Sequence, residues 1–90
     1  MLETEVKIIN PLGLHARAAA QLVRLAGQFT SRIKLKRIDN NVVADAKSIL
    51  SVLTLAAARG TKLTVEAEGA DEQDALISIK EIFADGFGEL

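Results

Sequence analysis

The sequence predicts an α+β fold of one mainly antiparallel sheet with helices on a single face, an open-faced β-sandwich built as one domain over residues 1–90. Three observations carry that expectation. The hydrophobic spacing switches repeatedly between the two-residue period of a strand and the longer period of a helix. The resulting order is β-α-β-β-α-β-α, with the middle strands joined as a hairpin. The 90 residues are 49% hydrophobic and 26% charged. That composition supports one small core and excludes a disordered chain.

The elements follow in order. Residues 3–9 alternate, with Glu3, Glu5 and Lys7 on one face and Thr4, Val6 and Ile8 on the other, so they form a half-buried strand. Asn10-Pro11-Leu12-Gly13 is a turn. A helix is expected from Ala16 to Ala26. Arg17, Gln21, Arg24 and Gln28 form its exposed stripe, and Ala19, Val23 and Ala26 its buried one. Residues 31–38 alternate again, with Arg32, Lys34 and Lys36 outward and Ile33 and Leu35 inward. Asp39-Asn40-Asn41 makes the hairpin turn and Val42–Ala44 a short return strand. A second helical stretch begins near Lys47 and runs through the mid-50s. Residues 61–68 form the last strand. The last helix spans Asp71–Ala84, with acids at its positive end and a buried stripe of Ala75, Leu76, Ile79, Ile82 and Phe83; Gly86 stops it.

Composition narrows the function. With no cysteine, disulfides, thiolate catalysis and zinc-finger sites are excluded, and a cytoplasmic setting is expected. No apolar run reaches membrane-spanning length, so no membrane insertion is expected. The acidic start, Glu3 and Glu5, does not read as a signal peptide. Without Trp or Tyr, and with three Phe, the chain lacks a base-stacking platform for nucleic acid. The net charge of −1 hides an asymmetry. Residues 15–62 hold nine Lys/Arg against two acids, and residues 63–90 hold eight acids against one Lys. Either the folded protein shows a basic and an acidic side, or the two halves intermix.

One histidine exists. His15 follows a Pro/Gly turn and directly precedes a helix. The N–H groups of Ala16, Arg17 and Ala18 have no helical acceptor there, and the helix dipole adds partial positive charge. Arg17 adds a guanidinium. Together they form a phosphate-sized anion site with an imidazole beside it, suited to accept a phosphoryl group and release it. The plainer alternative is a helix-capping histidine. A metal site is not expected from one His without a second ligand, and no cofactor is implied. The second helical stretch has two apolar stripes, one of Leu50, Leu53 and Ala57 and one of Ile49, Val52 and Ala56. One stripe suffices for a core, so the other is expected to be an exposed docking patch, with Lys47, Ile49 and Val52 facing partners.

The segment Asn10-Pro11-Leu12-Gly13-Leu14-His15-Ala16-Arg17, followed by an alanine-rich helix, resembles the active-site segment of the histidine-containing phosphocarrier proteins (HPr) of the bacterial phosphoenolpyruvate-dependent phosphotransferase system. Asp45–Leu50 and Ala67–Gln73 resemble the same family, and element order and spacing match over the whole chain. The resemblance implies a sheet of order 1-4-2-3 and a phosphocarrier that is no true enzyme. His15 would take a phosphoryl group on Nδ1 from phospho-enzyme I and pass it to an enzyme IIA, with Arg17 assisting. It implies regulatory modification of Ser48 by an HPr serine kinase/phosphorylase, and a monomer as the working form. The family usually has Pro where this chain has Ala18, which leaves the carrier role intact because the first helical turn tolerates either residue. The C-terminal Ile82–Glu89 and the Leu12-Gly13 pair resemble the nitrogen-related branch (NPr). Two rival functions remain. One is a mainly regulatory, serine-phosphorylated interaction protein; the other is a passive anion- or nucleic-acid-binding sandwich that uses the basic strand.

Overall fold

The computed structural model describes residues 1–90. Its elements are β1 (Leu2–Lys7), α1 (Ala16–Ala26), β2 (Arg32–Arg37), β3 (Val43–Asp45), α2 (Ile49–Leu53), β4 (Lys62–Glu68) and α3 (Glu72–Ala84). A short 3-10 turn, Gly86–Gly88, follows. The four strands form one sheet in the order β1-β4-β2-β3, and every neighbouring pair is antiparallel. Val6, Ile33, Leu35, Ala44, Leu63, Val65 and Ala67 point inward from the strands. They pack against Ala18, Ala19 and Leu22 of α1, Val52 of α2, and Ala75, Ile79 and Phe83 of α3. No helix is long and apolar enough to cross a membrane.

The open face of the sheet settles the charge question for that surface. Arg32 stands opposite Glu68, and Lys34 stands opposite both Glu66 and Asp45. Arg32 and Lys34 of β2 thus face acids on the neighbouring strands, an arrangement that stabilises a sheet. The two halves of the chain intermix here, so β2 offers no uniformly basic surface to a nucleic acid.

Several elements differ from the sequence reading. In α1 the buried residues are Ala18, Ala19, Leu22 and Ala26, with Val23 only partly buried against the core. Leu22 lies three and four residues beyond Ala19 and Ala18, so it occupies the middle of the apolar face and turns Val23 to its flank. The return strand is Val43–Asp45 rather than Val42–Ala44, because Leu35 pairs with Ala44. The last helix begins at Glu72. Asp71 precedes it, and its carboxylate reaches back to the start of β2, accepting the N–H groups of Thr30 at 2.8 Å and Ser31 at 2.9 Å and the Ser31 hydroxyl. Gly86 stops α3 as expected, at φ +61° directly after the cap residue Asp85, but the ordered chain continues beyond it. Phe87 follows it and is buried with its ring edge-on to Phe83, centroids 5.1 Å apart.

The largest departure concerns α2, which has five residues instead of running from Lys47 into the mid-50s. Beyond Thr54 the chain turns sharply, with Ala56 at φ +48°, and buries both Leu55 and Ala57. Alternate burial over those positions is incompatible with a continued helix, whose inward positions recur every three to four residues. Val52, expected on the docking patch, is fully buried. A helix of one turn and a half has room for one inward position, and Val52 is the residue of α2 that is buried.

Candidate functional site

The loop ahead of α1 is held to the rest of the protein by a small set of contacts. Gly13 adopts φ +67°, and a Cβ there would lie 2.6 Å from the Ala57 carbonyl oxygen. Only glycine accepts both the backbone angle and this close approach without strain. The next residue, Leu14, donates its N–H to the same Ala57 oxygen at 2.9 Å and is itself buried. The sharp turn after α2 therefore anchors the residue preceding His15. Asn10 is fully buried and donates through Nδ2 to the Gly13 carbonyl at 2.8 Å, while the Gly13 N–H returns to the Asn10 carbonyl at 3.1 Å.

His15 stands at the N-cap position of α1, with extended backbone angles and no side-chain cap. Its carbonyl accepts the Ala19 N–H at 2.8 Å. The N–H groups of Ala16, Arg17 and Ala18 have no acceptor within the protein, as the first turn of a helix dictates. The capping alternative fails geometrically, because the imidazole accepts none of these groups. Arg17 is exposed and free of ion pairs. The imidazole itself lies partly exposed, with Nε2 2.5 Å from Oε2 of Glu89.

The sequence reading singles out neither Glu89 nor Asn10 as a site residue. Asn10 Nδ2 also donates to Glu89 Oε2, at 3.2 Å. The hydrogen bonds from His15 and Asn10 hold the Glu89 carboxyl below the usual carboxylate range. Asn10 Oδ1 and Glu89 Oε1 are buried without partners. The sequence holds no local signal for this contact, since 74 residues separate Glu89 from His15.

Ser48 lies at the N-cap of α2, and its hydroxyl accepts the Ser51 N–H at 3.3 Å. It therefore has the structural role weighed for it, which leaves its modification a separate matter. Of the expected docking residues, Ile49 is exposed and Val52 is not. Lys47 is half-buried, with its ammonium donating to the Phe29 carbonyl at 2.6 Å. The exposed apolar residues of α2 are Ile49, Leu50 and Leu53, and Leu12 is exposed in the loop before His15. No group of three or more His, Cys, Asp or Glu side chains is placed to hold a metal ion.

Comparison with known proteins agrees with this architecture. The family model described as "PTS HPr component phosphorylation site" matches residues 2–85. The phosphocarrier protein HPr of Cupriavidus necator is 48% identical over 89 residues, covering 99% of this chain and 98% of that protein. HPr of Pseudomonas aeruginosa is 44% identical over 85 residues, covering 94% and 93%. Among solved structures, HPr-C-His from Thermoanaerobacter tengcongensis superposes with a TM-score of 0.94 at 36% identity, covering 100% of this chain and 99% of that one. HPr from Bacillus anthracis superposes with a TM-score of 0.85 at 29% identity, covering 91% and 95%. With the family model, the full-length relatives and the 1-4-2-3 sheet in agreement, the chain belongs to the HPr family of phosphotransferase-system phosphocarriers.

Proposed function

We propose that His15 is the residue that carries the phosphoryl group, receiving it on Nδ1 from phospho-enzyme I and passing it to an enzyme IIA. The observation that carries this reading is the placement of the only histidine at the start of α1, beside three N–H groups without acceptors. Phosphoryl transfer passes through a loose transition state with charge spread over the equatorial oxygens, so catalysis rests on positioning and on donors fixed in advance. The N–H groups of Ala16, Arg17 and Ala18 and the Arg17 guanidinium supply those donors. None of them needs to break a bond within the protein to do so. The protein is consumed and regenerated within a relay, and we read it as a stoichiometric carrier rather than an enzyme.

Docking on partners falls to Leu12, Ile49, Leu50 and Leu53. A phosphoryl group that must arrive and leave calls for a small, transient interface. The proposed location is the cytoplasm, where a phosphoenolpyruvate-driven relay draws its donor, and the proposed working form is a monomer. Ser48 is the proposed regulatory position for a serine kinase/phosphorylase. A phosphate there sets about −2 charge beside Ile49 and Leu50, and partners would have to dehydrate that charge on docking.

Labelling with radioactive phosphoenolpyruvate and enzyme I tests the carrier reading. The wild type takes up one acid-labile phosphoryl group and His15→Ala takes up none. Undiminished labelling of His15→Ala overturns it.

A further inference from the structure

Arg37 ends β2, and its guanidinium faces two ways. Nε and Nη2 donate to the Asp39 carboxylate of the hairpin turn, at 2.9 and 2.7 Å. Nη1 reaches the turn after α2, donating to the Leu55 carbonyl at 2.8 Å and the Ala56 carbonyl at 3.3 Å. We propose that Arg37 is a positioning residue for His15: its guanidinium clamps the two peptide groups on either side of Ala56 and so fixes the Ala57 carbonyl that anchors Leu14. Its consequence for phosphoryl transfer rests on the reading of His15 as the acceptor.

The first argument is that this turn has to be held. Ala56 has φ +48°, in the left-handed region that costs a residue with a Cβ conformational energy. Such a backbone persists where its surroundings over-determine it. The Leu55 carbonyl belongs to the peptide group before the Ala56 Cα, and the Ala56 carbonyl to the one after it. The orientations of these two groups are what the dihedrals of Ala56 describe. No backbone N–H donates to either carbonyl, so Nη1 is the donor that both have within the protein. A guanidinium suits the task, because its planar fork presents donors in fixed directions. Asp39 takes the other edge of the fork through both of its oxygens, which sets the plane. The Asp39 side chain is 62% exposed, and an ion pair so exposed adds little to stability by itself. Its effect is on where Nη1 points.

The second argument is what the turn touches. The next carbonyl, that of Ala57, accepts the Leu14 N–H at 2.9 Å. A Cβ on Gly13 would meet that same oxygen, and the Ala58 Cα at 2.9 Å, so the loop before His15 rests directly on residues 57–58. His15 and the free N–H groups of Ala16, Arg17 and Ala18 follow Leu14 without a break. Arg37 itself makes no hydrogen bond to His15 or to that loop. It acts through Ala56, Ala57 and Leu14, and a rotation at Ala56 shifts the support on which the imidazole and its neighbouring donors are placed.

The test compares the full-length wild type with Arg37→Ala, Arg37→Lys and the double variant Arg37→Ala/Ala56→Gly. The first readout is amide hydrogen exchange by NMR at Leu14, with Leu22 and Val65 of the core as references. The second is the rate of phosphoryl acceptance from phospho-enzyme I at increasing carrier concentration. In Arg37→Ala, Leu14 is expected to exchange about 2–10-fold faster relative to the two references, the factor that a weakened hydrogen bond supplies. The saturating rate is expected to fall about 10-fold, inside the roughly 100-fold that a 1 Å misplacement of reacting groups costs, with the half-saturating concentration unchanged. Glycine enters the left-handed region without steric cost, so adding Ala56→Gly is expected to return both readouts to near the wild type. Lysine has no fork to hold both carbonyls and Asp39; Arg37→Lys is expected to lie between the wild type and Arg37→Ala, and it carries the test if the alanine variant does not fold. Unchanged exchange at Leu14, an equal rise at Leu14, Leu22 and Val65, a wild-type saturating rate, or no rescue by Ala56→Gly overturns the proposal. Failure of the underlying reading looks different, because His15→Ala would then still be labelled, whereas Leu14 exchange is read without any phosphoryl transfer.

Discussion

Gly13→Ala separates two costs that the structure places on one residue. The backbone at Gly13 has φ +67°, and an L side chain in that region costs roughly 1–2 kcal/mol. The added Cβ also comes 2.6 Å from the Ala57 carbonyl oxygen and 2.9 Å from the Ala58 Cα. Both are backbone atoms, which cannot swing aside, and relieving such overpacking costs about 1–3 kcal/mol. Gly88 is the control. It has φ +75° and nothing within 4 Å of where a Cβ would stand, so Gly88→Ala incurs the conformational cost alone. The entropy that alanine removes from the unfolded chain is common to both variants and cancels. Urea unfolding monitored by circular dichroism is therefore expected to show Gly13→Ala less stable than Gly88→Ala by about 1–3 kcal/mol. The site should respond as well. Relief of the clash moves residues 12–14 away from residues 57–58, weakens the Leu14 N–H bond to Ala57, and shifts the His15 ring resonances. Equal losses of stability in the two variants would refute the close-approach argument, and unchanged His15 resonances in Gly13→Ala would refute the claim that this anchor positions the imidazole.

Three further outcomes are expected. Val52→Ala, at a fully buried side chain, should cost about 2–3 kcal/mol from lost burial and the residual cavity. Leu50→Ala, at a residue 75% exposed, should leave stability within about 0.5 kcal/mol and raise the half-saturating concentration for enzyme I; the reverse pattern in melting and transfer assays would return Val52 to the docking surface. Asp71 is held down to about 2, chiefly by the Ser31 hydroxyl and then by the Thr30 N–H, against 3.8 for an ordinary aspartate. Its folded-state value is the lower one, so its stabilisation is complete above about 4 and is lost as pH falls through about 2; Asp71→Asn should flatten that acid limb in urea midpoints measured against pH, and an unaltered limb would contradict it. Arg17→Ala should slow transfer about 10–100-fold without altering the melting temperature, since the guanidinium is one exposed donor to the moving charge, whereas Ala18→Pro should leave transfer largely intact because it removes one of three N–H groups. Equal damage from the two would contradict the assigned anion site.

The strands and two long helices were legible because each buries one face, which writes a period of two or 3.6 into the sequence. Ile33 and Leu35 between Arg32, Lys34 and Lys36 leave little choice of register. The start of α1 was equally legible, since Gly13 and His15 mark the turn and the helix entry locally. The segment after Ser48 was not. Leu50, Leu53, Ala56 and Ala57 satisfy a helical pattern, yet the chain turns after Leu53 so that the Ala57 carbonyl can accept from Leu14. That partner lies more than 40 residues away in sequence, and no local pattern encodes it. Glu89 was hidden for the same reason. A glutamate between Gly88 and Leu90 reads as a solvated tail residue until the packing of Phe87 on Phe83 brings it to the imidazole.

The central claim is that His15 carries the phosphoryl group on Nδ1. The most direct measurement is nitrogen and phosphorus NMR of the ring-labelled wild-type protein during phosphorylation by enzyme I and phosphoenolpyruvate. The account expects a coupling between phosphorus and Nδ1 of His15, a retained proton on Nε2, and loss of the phosphoryl group in acid. Phosphorus coupled to Nε2, or a phosphoryl group on any residue other than His15, would contradict it.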